Sequence, residues 1–334
     1  MAAARIVEAF LLDRDLAMAI GPRELRPPAA DEAVLRVQSA GVCGSDLHVM
    51  RSGDWVEDDE WPATLGHEIY GIVEEAPADG SLRVGDHVVA DSKVPCGRCA
   101  PCLDGRPDFC ADVRFVGECR PGGFATHCVL PSALLHPVPD ALHSPTVALA
   151  EPLAVTLHGL SRLRDEPRRM LVLGHGPIGA LLHIQVRRSY PGCEIVVAEP
   201  ARLRAQLARA LGADTVDDAK ELGPGTFDTV VDAAGYGGSL ADALALVAPR
   251  GQVLVLAIAR HPVQVIPAEL VERGIAVFGS NAFCDELPAA ISALAAAPDA
   301  YEPVITRAVS LTELPDVLRA QLVRPEEVKV LVCP

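Results

Sequence analysis

Apolar residues are laid out along this chain in two textures. Up to about residue 150 they fall in short alternating runs, such as Ala33-Val34-Leu35-Arg36-Val37, Ile69-Tyr70-Gly71-Ile72-Val73-Glu74 and Arg83-Val84-Gly85-Asp86-His87-Val88-Val89. A period of two predicts half-buried strands, and Pro22, Pro27 and Pro28 break the first forty residues into the strands and turns of a β-rich domain. From Met170 the runs become continuous. Residues 170–173, 194–198, 229–232, 252–256 and 275–278 predict buried strands. The patterns over 180–186, 202–211 and 239–247 predict helices between them, with Gly212-Ala213-Asp214 as a turn. Strand alternating with helix predicts a doubly wound parallel sheet, so the chain is α/β with a separate β-rich part. An apolar helix over 287–297 leads to a mixed segment ending at Val328-Lys329-Val330-Leu331-Val332.

Composition narrows the classes. At 334 residues two domains are expected, and half of the residues are apolar, which is enough for sizeable cores. No apolar run reaches the length of a membrane span, and Arg5, Glu8 and Asp13 interrupt the start where a signal peptide would need an apolar stretch. A cytoplasmic protein without membrane contact is the expectation. The net charge of −16 argues against a nucleic-acid partner. Clustered cysteines in such a chain point to metal rather than disulfides.

Three sets of residues carry chemistry. Cys96, Cys99, Cys102 and Cys110 are spaced C-x2-C-x2-C-x7-C in a loop rich in Gly, Pro and Arg. Four thiolates at that spacing can close a tetrahedral zinc shell with no open position, as structural sites do, with an iron–sulfur cluster as the metal alternative. Cys43-Gly44-Ser45-Asp46-Leu47-His48 and Gly66-His67-Glu68 supply thiol, imidazole and carboxylate donors suited to a second, catalytic zinc. Glu151, in Ala150-Glu151-Pro152-Leu153, reads either as an acid at a helix N-terminus or as a further carboxylate near the metal. Trp55 reads either as a wall of the substrate site or as a cap on the core edge. The third set is Gly174-His175-Gly176-Pro177-Ile178-Gly179, a G-x-G-x-x-G between a predicted strand and helix. The next strand ends at Glu199, twenty residues past Gly179, where a dinucleotide fold places an acid for the ribose.

These motifs, in this order, make the chain resemble the zinc-dependent medium-chain dehydrogenase/reductase family nearly end to end. The resemblance implies a GroES-like β-rich catalytic domain over 1–152, with a structural zinc lobe at about 93–115. A Rossmann NAD(P)-binding domain over 153–284 and a return to the catalytic domain over 285–334 would follow. Glu151-Pro152-Leu153 is similar to the polyol and sorbitol dehydrogenase branch. By that resemblance Cys43, His67 and Glu68 or Glu151 surround the catalytic zinc, and Asp46 orients His67. Ser45 takes the alcohol proton and His48 passes it outward. Gly174, Gly176, Pro177, Ile178, Gly179, Glu199 and Arg204 hold the cofactor, and Lys329 reaches its phosphates. Arg202 leaves NADP open beside NAD. Sorbitol-type relatives carry an arginine near the position of Ala282, which sets this chain apart from them.

The expected activity is therefore hydride transfer between a secondary alcohol of a polyol, cyclitol or sugar and NAD(P), with two zinc ions per chain. A threonine-type amino-alcohol dehydrogenase uses the same frame, and a non-catalytic NAD(P)-binding protein is the third reading. The expected partners are a small polyhydroxylated substrate and further copies of this chain, as a homodimer or homotetramer.

Overall fold

The strand Glu32–Gly41 is the longest in the computed structural model, which describes residues 5–334. It is buried along nearly its whole length because other strands flank it. Glu68–Glu75 and His127–Pro131 pair with it antiparallel, and Lys329–Val332, from the far end of the chain, pairs antiparallel with Ala40 and Gly41. The sheet continues through His87–Ala90 and Leu135–Pro137 on one side and through Ile305–Val309 on the other. Phe10, from the hairpin of Arg5–Leu12 with Met18–Leu25, stands edge-on to Phe124 at 6.2 Å. These rings and Leu35, Ile69, Leu130 and Leu318 are fully buried, each contributing about 1.5–3 kcal/mol.

Register brings the chemistry of this unit together. Gly41 pairs with both Glu68 and Leu331. Cys43, His67 and Glu68, and Lys329 therefore lie at the same end of three neighbouring strands. After Cys43 the chain turns into the helix Gly44–Ser52, whose end is set by Gly53 in the left-handed region (φ 71°). Its nine residues include Ser45, Asp46 and His48, too polar and too short a stretch for periodicity to announce a helix. Glu151 arrives on the first turn of the helix Ala150–Ser161, just after the turn Pro145–Leu149. The Pro145 carbonyl accepts from Ser39 Oγ on the central strand at 2.8 Å.

The chain through Glu151, with Leu287–Pro325 and Lys329–Pro334, makes up this unit, and Pro152–Glu286 with Glu326–Val328 makes up the second. The second unit holds six parallel strands in the order Asp214–Val216, Glu194–Ala198, Arg169–Leu173, Phe227–Asp232, Val247–Val255, Ala276–Gly279. Numbered along the chain this is 3-2-1-4-5-6, the order of dinucleotide-binding sheets. Leu171 and Leu173 enter one core and Met170 and Val172 the other. Burial on both faces is why these strands read as unbroken apolar runs.

Two elements differ from the sequence expectation. Asp214, read as a turn, begins the edge strand Asp214–Val216, whose three residues are too few to show a pattern. The fifth strand begins at Val247, because Ala248-Pro249-Arg250-Gly251 forms an irregularity in the ladder rather than a turn out of it. Arg250 is left-handed there (φ 66°), and a Cβ on Gly251 would lie 2.8 Å from the Asp228 carbonyl. Among the described residues no helix is long and apolar enough to cross a membrane.

Two buried histidines meet behind the glycine loop. His175 Nε2 lies 3.2 Å from His183 Nδ1, while His175 Nδ1 and His183 Nε2 have no hydrogen-bond partner. Burial pushes His175 down to about 4. Burial, and then the neighbouring His175 and Arg187, push His183 down to about 3. An unfolded histidine titrates near 6.5, so below that pH the unfolded chain takes up protons that the folded pair refuses. Their contribution to stability is therefore full above about 6.5 and declines as pH falls toward about 4. Thermal unfolding of the metal-loaded protein between pH 7.5 and 5 should show this decline. In His183→Leu the slope should be shallower, and an unchanged slope would exclude the pair as its source.

Candidate active site and metal centres

One cluster is built where the three strands end. Donor atoms of Cys43, His67 and Glu68 lie within 4.8 Å of one another, with His67 and Glu68 buried. Asp46 ties the two segments that carry them. Its Oδ2 accepts from the Cys43 N–H at 2.8 Å and its Oδ1 from the Gly66 N–H at 3.3 Å. The same Oδ1 stands 3.7 Å from His67 Nδ1, an ion-pair separation beyond hydrogen-bond range. Burial alone would push His67 down, but Asp46, then Cys43 and Glu151, outweigh it and hold the imidazole well above its ordinary value. The surrounding acids thus favour a positive charge at this point, which suits a zinc ion held by thiolate, imidazole and carboxylate.

Two carboxylates serve the cluster differently. Glu68 is fully buried and both its oxygens accept from Lys329 Nζ, at 2.6 and 2.7 Å. The third N–H of Lys329 goes to the Val42 carbonyl at 2.9 Å. A Cβ on Gly41 would lie 1.8 Å from Glu68 Oε2, so only glycine leaves room for this pair. Burial opposes the charge on Lys329, and Glu68, then Cys43, raise it above its usual value. Glu151 Oε1 accepts from Ser92 Oγ at 2.6 Å. Burial raises the Glu151 carboxyl, while His67 pulls it down and Glu68 pushes it up, which places it in the field of the same cluster.

Three more groups surround the cluster. Ser45 Oγ, two residues past Cys43, is buried without a hydrogen-bond partner. His48 is half-buried, stacked on Trp55 with ring centroids 4.1 Å apart, and its Nε2 faces Asp54 at 3.3 Å. Glu118 is half-buried. Burial pushes its carboxyl up to about 7, with His67 pulling it down and Asp46 pushing it up.

The second metal set is Cys96, Cys99, Cys102 and Cys110, again with sulfurs within 4.8 Å of one another. The lobe that carries them has only the two-residue pairs Lys93–Val94 and Arg114–Phe115 and single turns such as Ala100–Leu103. The Cys110 sulfur accepts from the N–H groups of Cys96 and Asp112, and backbone donors pull the Cys99 thiol down to about 6. Burial, and then Cys99 and Cys110, push the Cys102 thiol up to about 12, so a cation among the sulfurs is what would let all four serve as thiolates; four such donors in a loop with little core of its own are the set of a structural zinc.

In the second unit the glycine loop is shaped for a dinucleotide. Gly174 has φ 84°, and a Cβ there would meet Ala234 at 2.8 Å. A Cβ on Gly179 would lie 2.1 Å from the Gly174 carbonyl. A Cβ on Gly176, by contrast, would make only an ordinary contact, with Arg204 Nη1 at 3.5 Å, so this glycine is not crowded by its own loop and suits a position where a pyrophosphate approaches the backbone. Pro177 opens the helix Pro177–Ser189, whose N-terminus adds free N–H groups. Glu199 braces the loop: its oxygens accept from the N–H groups of His175 and Ala201, both at 2.8 Å. Arg204 donates through Nε and Nη2 to the Glu327 carbonyl.

Comparison with known proteins agrees with this construction. Residues 29–140 match the family described as alcohol dehydrogenase GroES-like domain, and 178–296 match zinc-binding dehydrogenase. Sorbitol dehydrogenase of Bacillus subtilis is 30% identical over 322 residues, 91% of this chain and 90% of that one. The chain belongs to the zinc-dependent medium-chain dehydrogenase family. The starvation-sensing protein RspB of Escherichia coli is another relative of this dehydrogenase, 28% identical over 93% of this chain and 94% of its own. A solved zinc-binding dehydrogenase of Sinorhizobium meliloti with NADP bound superposes with a TM-score of 0.89. It is 28% identical and covers 99% of this chain and all of its own. This dehydrogenase is thus a zinc enzyme that uses NAD(P), with the β-rich and parallel-sheet units the family combines.

The expected site residues sort into three places. Cys43, His67 and Glu68 come together, with Ser45, Asp46 and Glu151 around them, and His48 turns toward Asp54 and Trp55. The four cysteines form the lobe. Gly174, Gly176, Pro177, Ile178, Gly179, Glu199 and Arg204 share the loop region of the second unit. Lys329 departs from the expectation that it reaches cofactor phosphates. All three of its N–H groups are taken by Glu68 and Val42, and its charge is matched there. Ser92 and Glu118 were not singled out from sequence. A serine and an acid in polar loops carry no local signal, and their closeness to the cluster is purely tertiary.

Removing one partner of the Lys329–Glu68 pair strands a buried charge, at about 3–5 kcal/mol. Lys329→Met should therefore lower the unfolding free energy by that order, measured by denaturant titration, and Glu68→Gln added to it should restore part of the loss. A Lys329→Met protein as stable as the wild type would refute the pairing.

Proposed function

We propose that this dehydrogenase interconverts a secondary alcohol of a polyol, cyclitol or sugar with its ketone, using NAD as the preferred cofactor. The observation that carries the reading is the donor set: one thiolate and one imidazole, with the carboxylates Glu68 and Glu151 beside them. The relative named for sorbitol supports a polyhydroxylated substrate. When bound, zinc supplies the positive charge that favours an ionised hydroxyl, and the nicotinamide supplies the hydride acceptor.

The chain's own groups do the rest. Cys43 and His67 hold the metal, with Glu68 or Glu151 as the third donor. The engagement of Glu68 with Lys329 leaves Glu151 the freer carboxylate. Asp46 keeps the Cys43 and Gly66 segments together. Ser45, with its hydroxyl buried and unpartnered, accepts the proton leaving the substrate hydroxyl as it releases its own outward toward His48. His48, half-exposed, passes it to water. Glu199 puts a carboxylate where a 2′-phosphate would have to approach, which favours NAD over NADP.

The same reading includes a homodimer or homotetramer. The edge strand Ala276–Gly279 has one free side, and Val277 on it and Val271 and Ile266 before it are exposed. Sedimentation velocity should show a species of at least two chains, and a monomer at micromolar concentration would exclude this part.

Polyols should reduce NAD in a steady-state screen, with NADP slower. Amino alcohols turned over faster than every polyol would favour the threonine-type reading instead. Cys43→Ala should keep one of two zinc ions by elemental analysis, still bind NADH by fluorescence, and lose turnover. Ser45→Ala should lose about 10²–10⁴-fold in kcat, the range of positioned proton transfer. Full activity of Cys43→Ala would overturn the assignment.

A further inference from the structure

The loop that leaves the helix Gly44–Ser52 folds back over it. Gly53 turns in the left-handed region (φ 71°), and two residues later Trp55 does so again (φ 76°). Glycine adopts that conformation freely. A tryptophan does not, because its Cβ crowds the backbone, and such a residue persists only where its surroundings over-determine it. Here they do. The Asp54 N–H donates to Ser52 Oγ at 3.2 Å, the Glu57 N–H donates to the Glu118 carbonyl at 3.0 Å, and Arg114 pairs with Glu57 at 2.8 Å. The strained turn lays the Trp55 indole on the His48 ring, with centroids 4.1 Å apart and planes 27° apart.

His48 is held at its edge as well. Its Nε2 faces Asp54 Oδ2 at 3.3 Å and lies 3.4 Å from Ser52 Oγ, and Ser52 Oγ donates to the His48 carbonyl at 3.1 Å. The imidazole cannot rotate without leaving both the indole and Asp54. A carboxylate beside Nε2 favours a proton there, which leaves Nδ1 as the nitrogen that accepts one. Ser45 and His48 are three residues apart on the same helix, so they share a face of it.

We propose that Trp55 is a positioning residue for the proton outlet, holding His48 in the orientation in which it takes a proton from Ser45 and gives one to water. This deepens the relay assigned above to Ser45 and His48 and rests on it. The step balances: Nδ1 gains a proton, Nε2 releases one to solvent, and the ring returns to its starting charge. Between the two events the imidazole is a cation, and the face of an indole is the aromatic surface that attracts a cation best. Trp55 thus serves the charged form as well as the orientation. The two roles that the sequence leaves open for Trp55 fail differently. Loss of a substrate wall raises KM, and loss of a core cap lowers stability with no effect specific to the proton.

The test uses zinc-loaded wild type, Trp55→Leu, Trp55→Phe and His48→Gln, with zinc content and melting temperature measured for each. With carbon-13-labelled histidine, the ring resonance that disappears in His48→Gln belongs to His48. It should move downfield in Trp55→Leu, where the ring current of the indole is gone. On 2,3-butanediol and sorbitol with NAD, Trp55→Leu should lose about tenfold in kcat with KM within about twofold, part of the range of positioned proton transfer. Added imidazole, which carries protons from solution, should restore most of the loss in Trp55→Leu and in His48→Gln. Trp55→Phe keeps a flat ring and should stay within about threefold of wild type in kcat. An unmoved His48 resonance in Trp55→Leu, an unchanged kcat, a loss confined to KM, or a loss that imidazole does not restore would each overturn the assignment. Full activity of His48→Gln would instead overturn the relay beneath it.

Discussion

The buried pair between Lys329 and Glu68 is the contact on which the first unit's chemistry depends. It joins the last strand of the chain to the strand that follows His67, and it does so beside Cys43 through the Val42 carbonyl. Three buried acids and a thiol gather around this point, which no apolar interior would hold unless positive charge were provided with them. Lys329 provides one fixed charge. The zinc that the Cys43 and His67 donors favour provides the rest. The absence of a side chain at Gly41 is part of the same constraint, since any Cβ would occupy the space of the Glu68 carboxylate.

Around that pair the site divides its labour by what each group has left to give. Asp46 has used its oxygens on backbone N–H groups and serves as a brace. Ser45 has used nothing, and it is the group assigned to the proton that leaves the substrate. Partnered groups hold the frame and unpartnered ones meet the ligand. In the glycine loop, Gly174 and Gly179 are crowded from within, whereas a Cβ on Gly176 would make only an ordinary contact with Arg204.

Legibility in the sequence followed distance along the chain. The four-cysteine lobe is local, with its ligands within fifteen residues, and the glycine loop is nearly so, identified by its spacing together with the flanking strand and helix and Glu199 at the end of the next strand. The parallel sheet was legible because burial on both faces writes itself as continuous apolar runs, though its three-residue edge strand at Asp214 was too short to register. The catalytic cluster was half legible. Cys43 and His67 announced themselves through dense reactive neighbours, but the helix Gly44–Ser52 that sets Ser45 and Asp46 was hidden by its polar content.

The sequence by itself determined the fold class, the four-cysteine set, the cofactor loop and the candidates for the catalytic cluster, because each rests on residue types that have few other uses at such spacing. Tertiary structure decided the rest. Lys329 lies 261 residues from Glu68, and only strand register brings them together, turning a residue expected at the cofactor phosphates into the counter-charge of the metal site. Charge pairing in a folded interior depends on which strands become neighbours, and that information is spread over the whole chain rather than written at either residue.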